Sequence, residues 1–257
     1  LLNRMNSEQK LIRMLQNRAK QDPKTIVFSN AAEYNVLKAA QIVKDEGIGH
    51  PILLGNKEKV QEIMNEFDIQ LDVPIIDPKA RESEEHVTRL AEMLWKKRQR
   101  KGMTMYNAKR FLTNRDYFGC MMVEAGEADA FLTGSTRSYA TSLKPALETI
   151  GPAPGVSKVA GLMMIMTKKG PLFFADTTIN DDPSAKELAK IARMTEYVVR
   201  KIGIRPRIAM LSFENFAART PTSKKVSEAV ALLHKQYPDM VVDGEIQPDF
   251  ALNEELI

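Results

Sequence analysis

The chain is poor in the residues that would announce the commoner chemistries. One cysteine, Cys120, stands among 257 residues. That excludes an internal disulfide, and no Cys/His cluster has the spacing of a zinc site. His50, His86 and His234 are scattered without metal spacing, so each reads as structural or solvated. None of the 13 glycines falls into a G-x-G-x-x-G or Walker A pattern, which argues against a nicotinamide or nucleoside-triphosphate site in this chain. No run approaches the ~18–20 apolar residues of a spanning helix. The greasiest stretch, Val159–Met166, has the length of a strand. Arg4, Lys10, Arg13, Arg18 and Lys20 interrupt the first 21 residues, so no secretory leader forms there. The first residue is not Met, which suggests a piece of something longer. The lone thiol fits a reducing, cytoplasmic compartment. Charge of one sign is also scarce. Lys and Arg number 37 and Asp and Glu 33, a net charge of +4. That suits an anionic ligand and is too little to suggest nucleic acid.

What is present is globular. Hydrophobic residues make up 44% and charged residues 27%, which excludes collagen-like and disordered classes. Helix and strand patterns alternate almost throughout. Ser7 can cap a helix to about Lys20 with Leu11, Ile12 and Leu15 on one face. Strands are predicted at 25–28, 51–54, 73–77 and 128–132, with Pro74 placing the third at an edge or strand start. Helices are predicted at 33–46, closed by Gly47, and at 57–67, 82–98, 104–112 and 115–125, with another opening near Ser138. Short strand–helix connections of this kind imply a mostly parallel sheet covered on both faces. After Pro152-Ala-Pro-Gly155 the pattern changes. Residues 156–167 and 171–176 read as an antiparallel hairpin turning at Lys168-Lys-Gly170. A helix at 184–202, a strand at 207–213, a helix at 223–236 and a strand at 240–243 follow. The expected architecture is α/β, with subdomains at 1–150 and 151–257.

Two loops could carry chemistry. Thr133-Gly-Ser-Thr-Arg-Ser-Tyr-Ala-Thr141 follows a predicted parallel strand and leads into a helix. Ligands of open α/β sheets bind beyond the carboxyl ends of strands, and a helix N-terminus offers unpaired N–H groups there. Gly134, Ser135, Thr136, Ser138 and Thr141, with the charges of Arg137 and Lys144, suit a phosphate or carboxylate. A plain helix cap is the alternative. Ala175-Asp-Thr-Thr-Ile-Asn-Asp-Asp-Pro183 offers Asp176, Asn180 and Asp181, which serve equally well as turn and cap residues. The basic knot Lys96-Lys-Arg-Gln-Arg-Lys101 suits a solvated helix end. Its alternative is a phosphate clamp in which Arg98 and Arg100 offer forked donors. Cys120, flanked by apolar residues, reads as a buried inert thiol.

Several segments in order resemble the phosphate acetyl/butyryl-transferase family. They are Lys24-Thr-Ile-Val-Phe28, Val36-Leu-Lys-Ala-Ala40, Pro51-Ile-Leu-Leu-Gly-Asn56, Arg100-Lys-Gly-Met-Thr104, Tyr117-Phe-Gly-Cys-Met-Met-Val123 with Gly126-Glu-Ala-Asp-Ala130, and Leu143-Lys-Pro-Ala-Leu147 with Ala153-Pro-Gly-Val156. Phe174-Ala-Asp176 with Asn180 and Val242-Asp-Gly-Glu245 complete the set, whose order rather than any one motif is diagnostic. Within the family, Phe174-Ala-Asp-Thr-Thr-Ile-Asn180, Arg207-Ile-Ala-Met-Leu-Ser-Phe-Glu-Asn-Phe216 and Ala251-Leu-Asn-Glu-Glu255 look most like the C-terminal domain of bacterial NADP-dependent malic enzymes.

The resemblance implies two Rossmann-like subdomains flanking a cleft that binds acetyl-CoA or coenzyme A. It implies a homo-oligomer assembled through the second subdomain, and neither nucleic acid nor membrane as partner. The ligand-binding residues it implies are Arg98, Arg100, Gly134, Ser135, Thr136, Arg137, Ser138, Thr141, Lys144, Asp176 and Asn180. Of these, Ser138, Thr141 and Lys144 are expected to face the cleft. In the malic-enzyme form the domain senses acetyl-CoA beside an N-terminal part that oxidises malate. NADP and a divalent metal would belong to that part, and this chain would carry no catalytic residue or metal of its own. The family's acidic, glycine-containing loop after the first strand reads Ser29-Asn-Ala-Ala-Glu-Tyr-Asn35 here, its loop histidine is Arg137, and its arginine before Pro-Ala-Leu is Lys144. The family's C-terminal Ser-Arg pair and Asp would fall after Ile257. These departures imply a binding and assembly module. The alternatives are an active transferase moving acetyl between coenzyme A and phosphate, and a free small-molecule-binding domain of the same fold.

Overall fold

A computed structural model describes residues 7–253. The described chain divides into two compact units. One is Ile12–Pro154; the other runs from Gly155 onward and also takes in the start of the first helix, up to Leu11. Among the described residues no helix is long and apolar enough to cross a membrane.

The first helix, α1, spans Ser7–Gln21. The cap expected from Ser7 lies outside the described side chains. Of the face expected on α1, Leu11 is buried, Leu15 is half-buried and Ile12 is exposed. In the unit Ile12–Pro154, strands β1 (Lys24–Phe28), β2 (Gly49–Leu54), β3 (Ile75–Ile76) and β4 (Ala130–Leu132) form one parallel sheet in the order β3-β2-β1-β4. Helices α2 (Tyr34–Asp45), α3 (Lys57–Glu66), α4 (Glu84–Arg98), α5 (Met105–Leu112), α6 (Arg115–Glu124) and α7 (Tyr139–Thr149) connect and follow the strands. Successive strand residues point to opposite faces, and the packing follows from that. Val27 and Leu54 join Leu90, Leu94, Leu112, Phe118 and Met121 in one core. Their neighbours Phe28 and Leu53 join Leu37, Val60 and Met64 in the other. A sheet buried on both sides requires unbroken apolar strands, which Ile26-Val-Phe28 and Ile52-Leu-Leu54 supply.

Helix starts are set by side-chain oxygens that accept backbone N–H groups left orphaned by helix geometry. Asn56, Thr104, Asn114 and Ser138 each do so. The strand expected at 73–77 contracts to two residues at the sheet edge. Pro74 has no N–H for a ladder, but its carbonyl accepts from Leu53 N at 2.9 Å. The helix expected from Glu82 begins at Glu84, after a 3-10 turn over Arg81–Ser83.

The second unit holds the antiparallel hairpin β5 (Met163–Thr167) and β6 (Gly170–Phe174), and a parallel pair, β7 (Ile208–Leu211) and β8 (Val242–Ile246). Helices α8 (Ala185–Lys201) and α9 (Pro221–Gln236) pack on that pair around Ala192, Met210, Val230, Leu233 and Val242. A short helix, α10 (Pro248–Leu252), follows. The strand expected from Val156 begins only at Met163, for a visible reason. Asp176 accepts from Gly161 N at 3.0 Å, and Asn180 Nδ2 donates to Val159 O at 3.0 Å. Side chains thus engage the backbone where a ladder was expected. Helix α9 starts two residues before the expected Ser223, because Thr220 caps it and Pro221 occupies its first position. Strand β8 continues past Asp243 through Gly244 and Glu245, polar positions that hide a strand from periodicity.

Gly119 fixes how closely α6 approaches the sheet. A Cβ there would sit well inside the van der Waals radius of the Phe131 ring and 3.1 Å from Leu54 Cδ1. Gly119→Ala is expected to destabilise the protein by about 1–3 kcal/mol through overpacking, read as a lower denaturation midpoint with an unchanged slope.

Candidate functional site

The strand order makes a crevice at a definite place. The chain moves outward from β1 to β2 to β3, then returns to lay β4 on the other side of β1. The loops leaving the carboxyl ends of β1 and β4 therefore diverge, and this reversal is where open α/β sheets bind ligands. Residues 29–33 leave β1 and residues 133–138 leave β4, the latter ending on the N-terminus of α7.

Buried polar groups tie the two loops together. Asp116, in the first turn of α6, is 1% exposed. Its Oδ1 accepts from Ser29 Oγ at 2.5 Å and from Thr133 Oγ1 at 3.0 Å. Its Oδ2 accepts from Arg137 Nη1 at 3.1 Å. Asn30 Nδ2 donates to Ser135 Oγ at 2.9 Å, and Ser29 N donates to Leu132 O at 3.0 Å. Gly134 lies between these anchors at φ 111°, a backbone state that L side chains rarely adopt. A Cβ built on it would stand 3.9 Å from Ser142 Oγ. That hydroxyl is buried and has no hydrogen-bond partner. Ser138 Oγ caps α7 by accepting from Thr141 N at 3.4 Å, and it bonds Thr141 Oγ1 at 2.8 Å. Thr136, Thr141 and Lys144 are exposed. The arrangement joins a helix N-terminus, one oriented guanidinium and an unpaired hydroxyl. Each is a donor or a positive charge, which is what an anion requires.

Within the same unit, Arg98 and Arg100 stand apart from this loop. Arg98 donates from Nη1 to Glu148 O at 3.0 Å, near the C-terminal end of α7. Arg137 precedes the opposite end, about 15 Å away along the helix at 1.5 Å per residue. Arg98 is thus a helix-end contact in a cluster where Tyr117 also donates to Glu148. Arg100 is exposed in a 3-10 turn after α4. Asp176 and Asn180 belong to the other unit, where the Asp176 carboxylate accepts from the backbone N–H groups of Gly161, Thr178, Ile179 and Asn180. This is the turn role that Asx residues favour.

Asp116, Ser29, Asn30 and Ser142 escaped the sequence reading. An acid in a first helical turn reads as a dipole partner, and Ser142 reads as an ordinary helix residue. The buried pair Ser29-Asn30 directly after an apolar strand was the available signal. Cys120 is fully buried, and burial pushes its thiol up to about 12, so it is no nucleophile. His86 bonds Glu127 at 2.7 Å and His234 bonds Val242 O at 2.8 Å. Among the described residues no group of three or more His, Cys, Asp or Glu could hold a metal ion.

The profile of the family described as phosphate acetyl/butaryl transferase matches residues 10–257. The chain belongs to that family. It is 35% identical over 255 residues to a phosphate acetyltransferase of Thermoanaerobacterium thermosaccharolyticum, covering 96% of this chain and 76% of that protein. It is 32% identical over 248 residues to an NADP-dependent malic enzyme of Escherichia coli, covering 93% of this chain and 32% of that protein. The chain therefore spans about a third of such malic enzymes. Among solved structures, the EutD phosphotransacetylase from Staphylococcus aureus superposes with a TM-score of 0.84 at 29% identity, covering 98% of this chain and 77% of that one. The α/β fold, with its parallel sheet and antiparallel hairpin, is the fold of these phosphotransacetylases.

Asp176 generates an acid-stability prediction. Burial disfavours its charge, but hydrogen bonds from Asn180, Gly161, Thr178 and Ile179 outweigh that and lower its pKa. A carboxylate with a depressed folded pKa contributes stability above its unfolded value near 4, lost as pH falls through the folded value. Asp176→Asn should lower stability at neutral pH and flatten the loss below about pH 4, measured by urea denaturation across that range.

Proposed function

We propose that this chain is a phosphotransacetylase-type unit that moves an acetyl group between coenzyme A and inorganic phosphate, with its phosphate-bearing ligand held by the β4–α7 loop. The observation that carries the reading is the loop itself. It stands at the strand-order reversal, ends on a helix N-terminus, carries Arg137, and has the unpaired Ser142 hydroxyl beside Gly134, with Lys144 exposed further along the same helix. The 35% identical phosphate acetyltransferase supports the same reading. In the reaction a phosphate oxygen attacks the thioester carbonyl, the carbon–sulfur bond breaks, and the thiolate of coenzyme A leaves to take up a proton. The demand on the protein is to hold phosphate in line at attack distance and to stabilise developing charge. Arg137 and Lys144 supply the charge, and the N-terminal amides of α7 supply oriented donors. The one buried cysteine fits a reducing, cytoplasmic setting.

A second reading has its own support. The position that the family resemblance assigns to histidine is Arg137, already engaged by Asp116, and Lys144 replaces an arginine fork with a point charge. Malic enzymes at 32% identity are also among the relatives. In this reading the chain binds acetyl-CoA as an effector and serves oligomerisation, beside a malate-oxidising part that would hold NADP and a metal.

The discriminating experiment assays acetyl phosphate formation from acetyl-CoA and phosphate and, in parallel, titrates acetyl-CoA calorimetrically. The transferase reading expects turnover that Lys144→Ala lowers at least tenfold, the scale of one lost charge-assisted bond. Binding without turnover supports the regulatory reading, and neither binding nor turnover overturns both.

Assembly is the further proposal. The hairpin leaves Leu162, Met163, Met164 and Ile165 exposed. We expect a homodimer burying on the order of 1,500 Å² or more in total. Light scattering at high concentration checks this, and Met164→Asp should shift the species toward monomer.

A further inference from the structure

We propose that Asp116 is the positioning residue of the loop's anion site: it fixes the direction of Arg137 so that one edge of the guanidinium is left for a phosphate group. The inference rests on the reading of the β4–α7 loop as an anion site and adds how that site is oriented.

The geometry points to Asp116 because its carboxylate, among the described residues, ties together all three elements around the crevice. It takes Ser29 from the β1 loop, and Thr133 and Arg137 from the β4 loop, while standing on α6. A carboxylate 1% exposed is costly unless paired and hydrogen-bonded. Two hydroxyls and one guanidinium nitrogen meet that need. The pairing is unequal, however. Asp116 is enclosed, while Arg137 remains 34% exposed and uses only Nη1 toward it. A guanidinium carries five N–H donors in a rigid fork. Fixing one arm orients the others, and no second partner for them appears among the described residues. The ligand side is marked independently by Ser142 Oγ, buried and unpaired in the first turn of α7. It lies beside the loop at Gly134, where a Cβ would stand 3.9 Å from it, at ordinary contact distance.

A role confined to folding and a positioning role differ in one readout, the coupling between the two residues in ligand affinity. The experiment titrates the full chain with inorganic phosphate and, separately, with acetyl-CoA, for the native protein, Asp116→Asn, Arg137→Gln and the double variant. Asp116→Asn should weaken binding roughly tenfold, and Arg137→Gln by a similar factor, each the scale of one hydrogen bond to a charged group. The double variant should bind no more weakly than Arg137→Gln alone. Loss in the phosphate arm assigns the site to inorganic phosphate, and loss in the acetyl-CoA arm alone assigns it to a phosphate of coenzyme A; either supports the proposal. Affinity unchanged in a folded Asp116→Asn, or additive losses, overturns it while leaving the anion site standing. No binding by the native chain overturns both.

Should Asp116→Asn fail to fold, nitrogen-15 spectra of the native chain decide. An Arg137 guanidinium with slowed rotation before ligand is added, shifting on titration, supports the proposal. One that rotates freely, or is indifferent to both ligands, overturns it.

Discussion

A parallel strand must be followed by a crossover, and in this protein one crossover runs the other way. Strands β1, β2 and β3 are laid outward, and then the chain runs through three α-helices before it places β4 against the free side of β1. The apolar alternation of β1 makes that possible, because Val27 feeds one core and Phe28 the other. With both faces of the central strand committed, the loops beyond its carboxyl end are the remaining place for polar groups. The crevice is a by-product of sheet order, and what occupies it is decided by the few polar residues that the strand ends deliver.

Those residues solve a solvation problem before they serve a ligand. Ser29 and Asn30 are buried at the end of β1, and buried polar groups without partners are expensive. Their partners are Asp116 and the β4 loop, so burial and loop anchoring are one event. Hydroxyl and guanidinium donors converge on a single carboxylate, and the loop is held at Thr133, Ser135 and Arg137 while Gly134 takes the turn between them. A loop tied at three points presents a preorganised surface, which lowers the ordering cost of binding.

The two cores were legible in the sequence because apolar runs of four or five residues, spaced by helical periods, have few alternative readings. The boundaries were less so, for local reasons. Residues 156–162 have the composition of a strand, but Asp176 and Asn180, well downstream, engage their backbone. In β8, Asp243, Gly244 and Glu245 interrupt alternation, although Glu245 is among the most deeply buried residues described. The β4–α7 loop could be found from its hydroxyls, its arginine and the helix after it. Its carboxylate anchor could not, since Asp116 lies 21 residues before Arg137 on another helix and resembles any acid in a first turn. The same limit grouped Arg98 with Arg137: both are basic, and only the length of α7 shows that they serve opposite helix ends.

The lengths of the outer strands have a consequence for solubility. Flanking strands β3 and β4 contain two and three residues, against six and five in the strands they cover. A sheet margin is a template on which another chain can add a strand, and the template works only if several consecutive amides and carbonyls are offered in register. Two or three residues offer too few, and Pro74 removes a donor beside the shorter of them. The longer strands of this sheet therefore lie inside it, and what it shows at its margins in a crowded solution is too short to nucleate a shared ladder.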